Sequence, residues 1–151
     1  MNIQAAHTND SEVLTLITKS SKAFWGYSSV QMERWTDILT ITTSYIEINS
    51  VYKLVENGKI LGYYSFFFQE EHVVVLDNLF VLPEHIGKGF GRFLMNDFLL
   101  RLKGTKAKKV VLESDPHAEN FYAKLGFIKT SLIESSNKGR YLPLMELPVN
   151  R

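Results

Sequence analysis

Apolar residues recur at helical spacing twice near the start of the chain. In "TNDSEVLTLITKSSKAF", Val13, Leu14, Ile17 and Phe24 fall on one stripe with Asp10 or Ser11 as cap, which predicts a first helix. After "WGYSS", Ser28 or Ser29 can cap a second helix through "VQMERWTDILT", with Val30, Trp35, Ile38 and Leu39 facing inward. The period then shortens. "VYKLVENGKILGYYSFFFQ" reads as a hairpin, because Asn57 and Gly58 tolerate the left-handed conformations of a tight turn. "HVVVLDNLFVL" is a β-branched run that looks central and buried and is closed by Pro83. Helical spacing returns in "FGRFLMNDFLLRLKG", with Phe90, Phe93, Leu94 and Phe98 on one face and Gly104 as the stop. "KKVVLES" is a further strand, "PHAENFYAKLG" a short helix ended by Gly126, and "FIKTSLIE" and "RYLPLMEL" a closing strand pair. This order predicts a mixed α/β sheet covered by helices, in a single domain over residues 1–151.

Composition narrows the classes. The 151 residues are enough to bury roughly 70% of the unfolded surface without staples. Absence of cysteine excludes disulfides, thiolate metal sites and a cysteine nucleophile, and suits a reducing compartment. The start "MNIQAAHTND" has no basic stretch followed by an apolar run, and no segment is apolar enough to span a bilayer, so the chain reads as soluble and cytoplasmic. A net charge of +1, with both signs mixed along the chain, gives no nucleic-acid or polyanion surface. His7, His72, His85 and His117 lack ligand spacing, so no metal site is expected.

Three glycines in "LPEHIGKGFGRFLM" stand between a strand and a helix. A helix N-terminus carries unpaired N–H groups and the positive end of the peptide dipole, and glycines let a phosphate approach it. The dinucleotide pattern G-x-G-x-x-G/A fails in both registers, at Arg92 and at Leu94. The triphosphate loop G-x-x-x-x-G-K-[ST], aligned on Gly87-Lys88, fails at Leu82 and at Gly89. Glycines before a helix are also ordinary turn chemistry.

A third pattern fits. Ile86-Gly87-Lys88-Gly89-Phe90-Gly91 resembles the pyrophosphate loop Q/R-x-x-G-x-G/A of the GNAT acyl-CoA N-acyltransferases, with Ile86 in place of the leading Gln or Arg. One helix and one strand later, "AENFYAKLGF" resembles that family's motif of a small residue, an aromatic pair and a closing Gly-Phe. Seven residues before Tyr122 the family usually has Asn, and here Asp115 stands. The resemblance is specific from about Val73 to Phe127 and looser elsewhere. It implies a mostly antiparallel, splayed sheet of about six to seven strands with helices on both faces. It also implies acetyl-CoA as cofactor, held by Leu79, Phe80 and Val81, by Ile86, Gly87, Lys88, Gly89, Phe90, Gly91 and Arg92, and by Asp115, Asn120, Tyr122 and Lys124. Pantetheine would pair with the strand at Leu79 to Val81 as an added strand, which leaves little letter signature.

The implied reaction is direct attack of an amine on a thioester. An alkylamine with a pKa of about 10.4 must lose a proton first, and a thiolate leaves more readily if protonated on the way. Tyr122 matches the family tyrosine beside the sulfur and is the candidate acid; it is otherwise a packed aromatic on a short helix. Asp77 interrupts an apolar strand, where a carboxylate is costly unless paired or functional. It is either the base, directly or through water, or a structural hydrogen-bond partner. An N–H near Leu79 to Val81 is the candidate oxyanion donor. Trp25 and Tyr27, between the first two helices, either shape an acceptor pocket or pin their loop. Arg140 is either a partner for an acceptor carboxylate or a solvated surface arginine. The resemblance thus implies an N-acetyltransferase acting on a small-molecule or peptide amine, with a homodimer through exposed strand ends. The alternative is a non-catalytic acyl-CoA sensor of the same fold.

Overall fold

The computed structural model describes residues 1–135 and 139–151. Its strands are β1 (Asn2–Ala5), β2 (Ser50–Glu56), β3 (Lys59–Glu70), β4 (Val73–Val81), β5 (Lys109–Glu113), β6 (Ile128–Glu134) and β7 (Tyr141–Pro148). Its helices are α1 (Ser11–Phe24), α2 (Ser29–Arg34), α3 (Thr36–Leu39), α4 (Thr43–Ile48), α5 (Phe90–Leu102) and α6 (Glu119–Lys124), with short 3-10 turns at Thr8–Asp10, Pro83–His85 and Pro116–Ala118. The strands form one seven-stranded sheet in the order β1-β2-β3-β4-β5-β7-β6, so the expected mixed α/β architecture is met. β1 with β2, β2 with β3, β5 with β7 and β6 with β7 run antiparallel, whereas β4 and β5 are parallel. Among the described residues no helix is long and apolar enough to cross a membrane.

The helical expectations need three corrections, the simplest being that Phe93, expected on the inner face of α5, is exposed while Leu94 and Phe98 are buried. The buried stripe of α1 is Leu14, Ile17, Thr18 and Ser21, while Val13 and Phe24 are exposed. The two hydroxyls complete the stripe because each is paired. Thr18 Oγ1 donates to the Leu14 carbonyl at 2.7 Å and accepts from the Tyr63 hydroxyl, and Ser21 Oγ donates to the Val81 carbonyl at 2.7 Å. The second helix is broken at Trp35 into α2 and α3, where the turn is not helical. Trp35 and Leu39 remain buried, four residues apart, but Val30 is exposed and Ile38 is 66% exposed. β1 and α4 were not anticipated. β1 contributes only four residues, and α4 is announced by Thr42, whose side chain accepts from the Tyr45 N–H at 3.0 Å.

The chain forms two compact units, and β3, β4 and α5 each pass from one to the other. The first comprises Met1–Phe66 and Asn78–Leu100, the second Phe67–Asp77 and Arg101–Arg151. In the first, Leu14, Ile17, Ile41, Ile46, Val51 and Tyr63 form a core with Phe80 and Leu82 packed against it. Each fully buried aliphatic side chain of this kind contributes about 1.5–3 kcal/mol. Tyr64, whose hydroxyl donates to Asp97 on α5 at 2.6 Å, stacks on Tyr52 and meets Phe98. In the second unit, Val74, Leu76, Leu102, Val110, Leu112, Phe127 and Met145 are buried. The Asn150 amide there ties down the carbonyls of Leu102 and Ala107, both at 2.9 Å.

Two stability predictions follow from the first unit. A Cβ on Gly62 would lie 2.7 Å from the Phe80 carbonyl oxygen and 3.3 Å from both Leu94 Cδ1 and Val81 Cα. Gly62→Ala therefore lowers stability by about 2 kcal/mol, seen as a Tm drop of about 5 °C in a calorimetric scan. The Asp10 carboxylate accepts from Lys53 Nζ at 2.7 Å and from the His7 N–H at 2.8 Å. Burial pulls its pKa upward, but the Lys53 and His7 interactions outweigh it, and the net shift is below the ordinary 3.8. A depressed carboxyl stabilises the fold above its unfolded pKa, and that contribution is lost as pH falls through the folded value. Asp10→Asn thus costs about 1 kcal/mol at pH 7, and in urea titrations its gap from the parent narrows as pH is lowered toward 3.

Candidate active site

The glycine segment lies in the first unit, after β4. Pro83–His85 forms a single 3-10 turn with the Leu82 carbonyl accepting from the His85 N–H at 2.9 Å, and residues 86–89 then turn into α5. Gly87 and Gly89 have φ of 86° and 85°, conformations that an L side chain adopts only under strain. A Cβ at either would meet nothing within 4 Å, so the protein itself leaves that space open. The Gly89 carbonyl accepts from the Phe93 N–H at 3.0 Å. Phe93 is thus the first donor of the helical ladder, and the amides of Phe90, Gly91 and Arg92 are left at the positive end of α5. Lys88 and Arg92 are exposed beside them. Lys88 Nζ lies 3.3 Å from His85 Nδ1, and the His85 ring lies 5.6 Å from that of Phe90. Ile86 is 39% exposed and offers no side-chain donor.

The strand leading into this segment is only partly spoken for. The parallel ladder of β4 with β5 pairs Val73, Val74 and Val75 with Lys109, Val110 and Val111 and ends there. Of the residues expected to meet pantetheine, Phe80 is packed against Tyr63 in the first-unit core, Leu79 is half-buried, and the Val81 carbonyl already accepts from Ser21. Asp77 is exposed, which corrects the premise that it sits in a buried run. Val74 and Leu76 are buried while Asp77 is open to water, so its charge carries no large burial cost.

In the second unit, Asp115 organises the turn before α6. Its side chain accepts from the His117 N–H at 2.9 Å, capping Pro116–Ala118, and from His117 Nδ1 at 2.8 Å. Arg140 lies 3.6 Å from its other oxygen, and the Asp115 side chain is 10% exposed. The capping task is one that asparagine performs equally well, so the departure from the family residue changes charge rather than local fold. Tyr122 is 8% exposed, with Phe121 and Phe127 edge-on to its ring at 5.1 and 5.6 Å. Burial first, and the Asp115 carboxylate second, push its phenol well above the ordinary value of 10.0. It is held protonated at neutral pH. Asn120 and Lys124 lie exposed on α6, one turn apart. Arg140 is mostly covered and paired rather than solvated.

Trp25 closes α1 with Phe24 edge-on at 5.1 Å, and Tyr27 packs edge-on against Trp35 at 4.8 Å. The cation over the Tyr27 and Trp35 rings is the chain's own Lys22, at 5.9 and 5.7 Å. A polar group missed by sequence reading lies on β4. Asn78 Nδ2 donates to Tyr45 Oη at 3.1 Å and to Ser65 Oγ at 2.9 Å, and those two hydroxyls are 2.8 Å apart. The amide in the run "VVVLDNLFVL" was the available signal; its partners come from an unanticipated helix and from a serine within an aromatic strand.

Comparison with known proteins bears on this arrangement. The family model described as Acetyltransferase (GNAT) domain matches residues 7–147. An uncharacterized N-acetyltransferase of Pyropia yezoensis, ycf52, is 24% identical over 91 residues, covering 60% of this chain and 52% of that protein. The chain therefore spans about half the length of that curated relative. The PaiA N-acetyltransferase of Thermoplasma acidophilum, solved in complex with coenzyme A, superposes with a TM-score of 0.80 at 18% identity, over 97% of this chain and 98% of the other. A GNAT family acetyltransferase of Elizabethkingia anophelis with acetyl-CoA bound gives a TM-score of 0.71 at 17% identity, over 98% and 97% of the two chains. At such identities the likeness is one of fold, and the family assignment rests on the match along residues 7–147. The chain belongs to the GNAT acetyltransferase family.

Proposed function

We propose that the chain transfers the acetyl group of acetyl-CoA to a primary amine by direct attack, without a covalent enzyme intermediate. The observation that carries this reading is the start of α5. Three helix-end amides there adjoin open space at two left-handed glycines, the arrangement that suits a diphosphate. Family membership supports it, and so do the coenzyme A and acetyl-CoA complexes of the two structural relatives. In this reading the amides of Phe90, Gly91 and Arg92, with Gly87, Lys88 and Gly89, hold phosphate, Ile86 flanks them, and Leu79, Phe80 and Val81 offer main-chain groups to pantetheine. Support for the strand addition comes from the β4–β5 ladder, which ends at Val75. Asp115, Asn120 and Lys124 complete the cofactor contacts.

Acetyl-CoA supplies an activated acyl carbon, and the protein's task is to manage two protons. The acceptor nitrogen gives one up to Asp77 or to water beside it. The N–C bond then forms as the C–S bond breaks, Tyr122 passes its hydroxyl proton to the departing sulfur, and the acylated nitrogen sheds its second proton, which restores the phenol directly or through water. An exposed carboxylate and a buried, protonated phenol have the right polarity for these two roles. The acceptor is a small-molecule or peptide amine, met by Trp25, Tyr27 and Arg140. The family match running through residues 7–147 supports one catalytic domain. Pairing of two copies through a strand end belongs to the same reading, β6 being last in the sheet order and exposed along most of its length. The lack of cysteine fits a reducing, cytoplasmic setting.

Thiol release from acetyl-CoA across a broad panel of amines tests the activity; no release with any amine, together with no calorimetric heat from coenzyme A, sinks it. Tyr122→Phe lowers kcat about 100-fold while coenzyme A still binds in calorimetry. Turnover equal to the parent's removes Tyr122 from the acid role. Asp115→Asn takes a negative charge away from the phenol, so Tyr122 ionises more easily. Its titration, followed by the 13Cζ resonance of labelled tyrosine, moves down but stays above about 10 because burial persists. The alkaline limb of kcat moves down with it.

A further inference from the structure

The proposed phosphate loop is preceded by a further side-chain donor that its glycine pattern does not include. His85 closes the 3-10 turn Pro83–His85 and is held at three points. Its N–H donates to the Leu82 carbonyl at 2.9 Å, its ring lies 5.6 Å from the Phe90 ring at 41°, and its Nδ1 lies 3.3 Å from Lys88 Nζ. An ammonium group has three donors and no acceptor, so in the Lys88 contact Nδ1 must accept. In a neutral imidazole the other nitrogen then carries the hydrogen, and Nε2–H is a donor whose tautomer is set by Lys88. Among the described residues Nε2 has no hydrogen-bond partner. The neighbouring corner residue, Ile86, has no polar side-chain atom to contribute, although it is well exposed.

We propose that His85 is a phosphate-binding residue of the acetyl-CoA site, its ring fixed by Lys88 and Phe90 so that Nε2–H serves a phosphate oxygen where Ile86 cannot. This rests on the acetyl-CoA reading and assigns the side-chain part of phosphate recognition within it. A hydrogen bond to an anionic oxygen is charge-assisted, and its loss is felt in proportion to the phosphate charge it served. Lys88 contributes in two ways, as a cation at the loop and as the group that orients the imidazole. Glu84, adjacent in sequence, is exposed.

The test compares the parent with His85→Phe, which keeps a ring beside Phe90 but has no nitrogen, and His85→Gln, which restores a donor. Calorimetry with coenzyme A is expected to show Kd raised about tenfold in His85→Phe and partly recovered in His85→Gln. The ratio of kcat/KM for acetyl-CoA to that for acetyl-pantetheine, which lacks phosphate, is expected to fall by a similar factor in His85→Phe. Dephospho-coenzyme A locates the contact. An equal loss with this ligand assigns His85 to the diphosphate, and no loss assigns it to the 3′-phosphate. An unchanged Kd in His85→Phe overturns the proposal, and so does an equal loss with acetyl-pantetheine, which would make His85 merely structural. A parent protein that gives no heat with coenzyme A instead overturns the acetyl-CoA reading itself.

Discussion

Where β3 passes β4 at Gly62, the backbone comes so close to Phe80 and Val81 that a single added carbon would collide with a carbonyl oxygen. That approach fixes much of the first unit. With no side chain at Gly62, Leu94 of α5 comes down onto the same spot, so the strand end and the helix start are referred to one point. The Leu82 N–H then reaches the Leu61 carbonyl at 2.9 Å, and the Val81 carbonyl is taken by Ser21 of α1. β4 is thereby stopped, Pro83 prevents its continuation, and the chain must turn back within a few residues to enter α5. Left-handed glycines meet that demand, and amide groups collect at the head of the helix as a result. The open head of α5 follows from how two strands and a helix share one crowded point.

What could be read from the letters was what is decided locally. The glycine loop is legible because positive φ leaves few residue choices, and the Asn57-Gly58 turn between β2 and β3 for the same reason. The stripe of α1 was misread because apolar period cannot register a face completed by Thr18 and Ser21, whose burial depends on partners more than forty residues away in β3 and β4. Trp35 breaks a periodic run that contains neither glycine nor proline, and no local signal marks that break. Asp77 was misjudged for a related reason. A run of β-branched residues suggests burial on both faces, yet its exposure is set by which neighbours cover the strand. Arg140 and Asp115 meet only through tertiary structure, so their pairing could not be seen.

Two ionisable groups, a carboxylate and a phenol, show how burial and partners combine. At Asp10 they oppose each other, and the Lys53 and His7 contacts prevail. At Tyr122 burial and the Asp115 charge act in the same direction on a group that is neutral when protonated. The first arrangement stabilises a charge; the second forbids one. A phenol so placed stays protonated at neutral pH and is unfit to take a proton from an amine. In the proposed reaction the base role therefore falls to a different residue.

The same reasoning bears on the acceptor. An amine must be neutral to attack, so an aromatic clamp that holds it as an ammonium ion would stabilise the unreactive form. In this chain the rings of Tyr27 and Trp35 already have a cation, Lys22, lying over both. Their attraction for positive charge is met from within. Elsewhere in the first unit, Tyr45, Ser65 and Asn78 form a cluster of two hydroxyls and an amide. Because these three side chains spend hydrogen bonds on one another, each is held in place, and the buried Ser65 hydroxyl is satisfied within the protein.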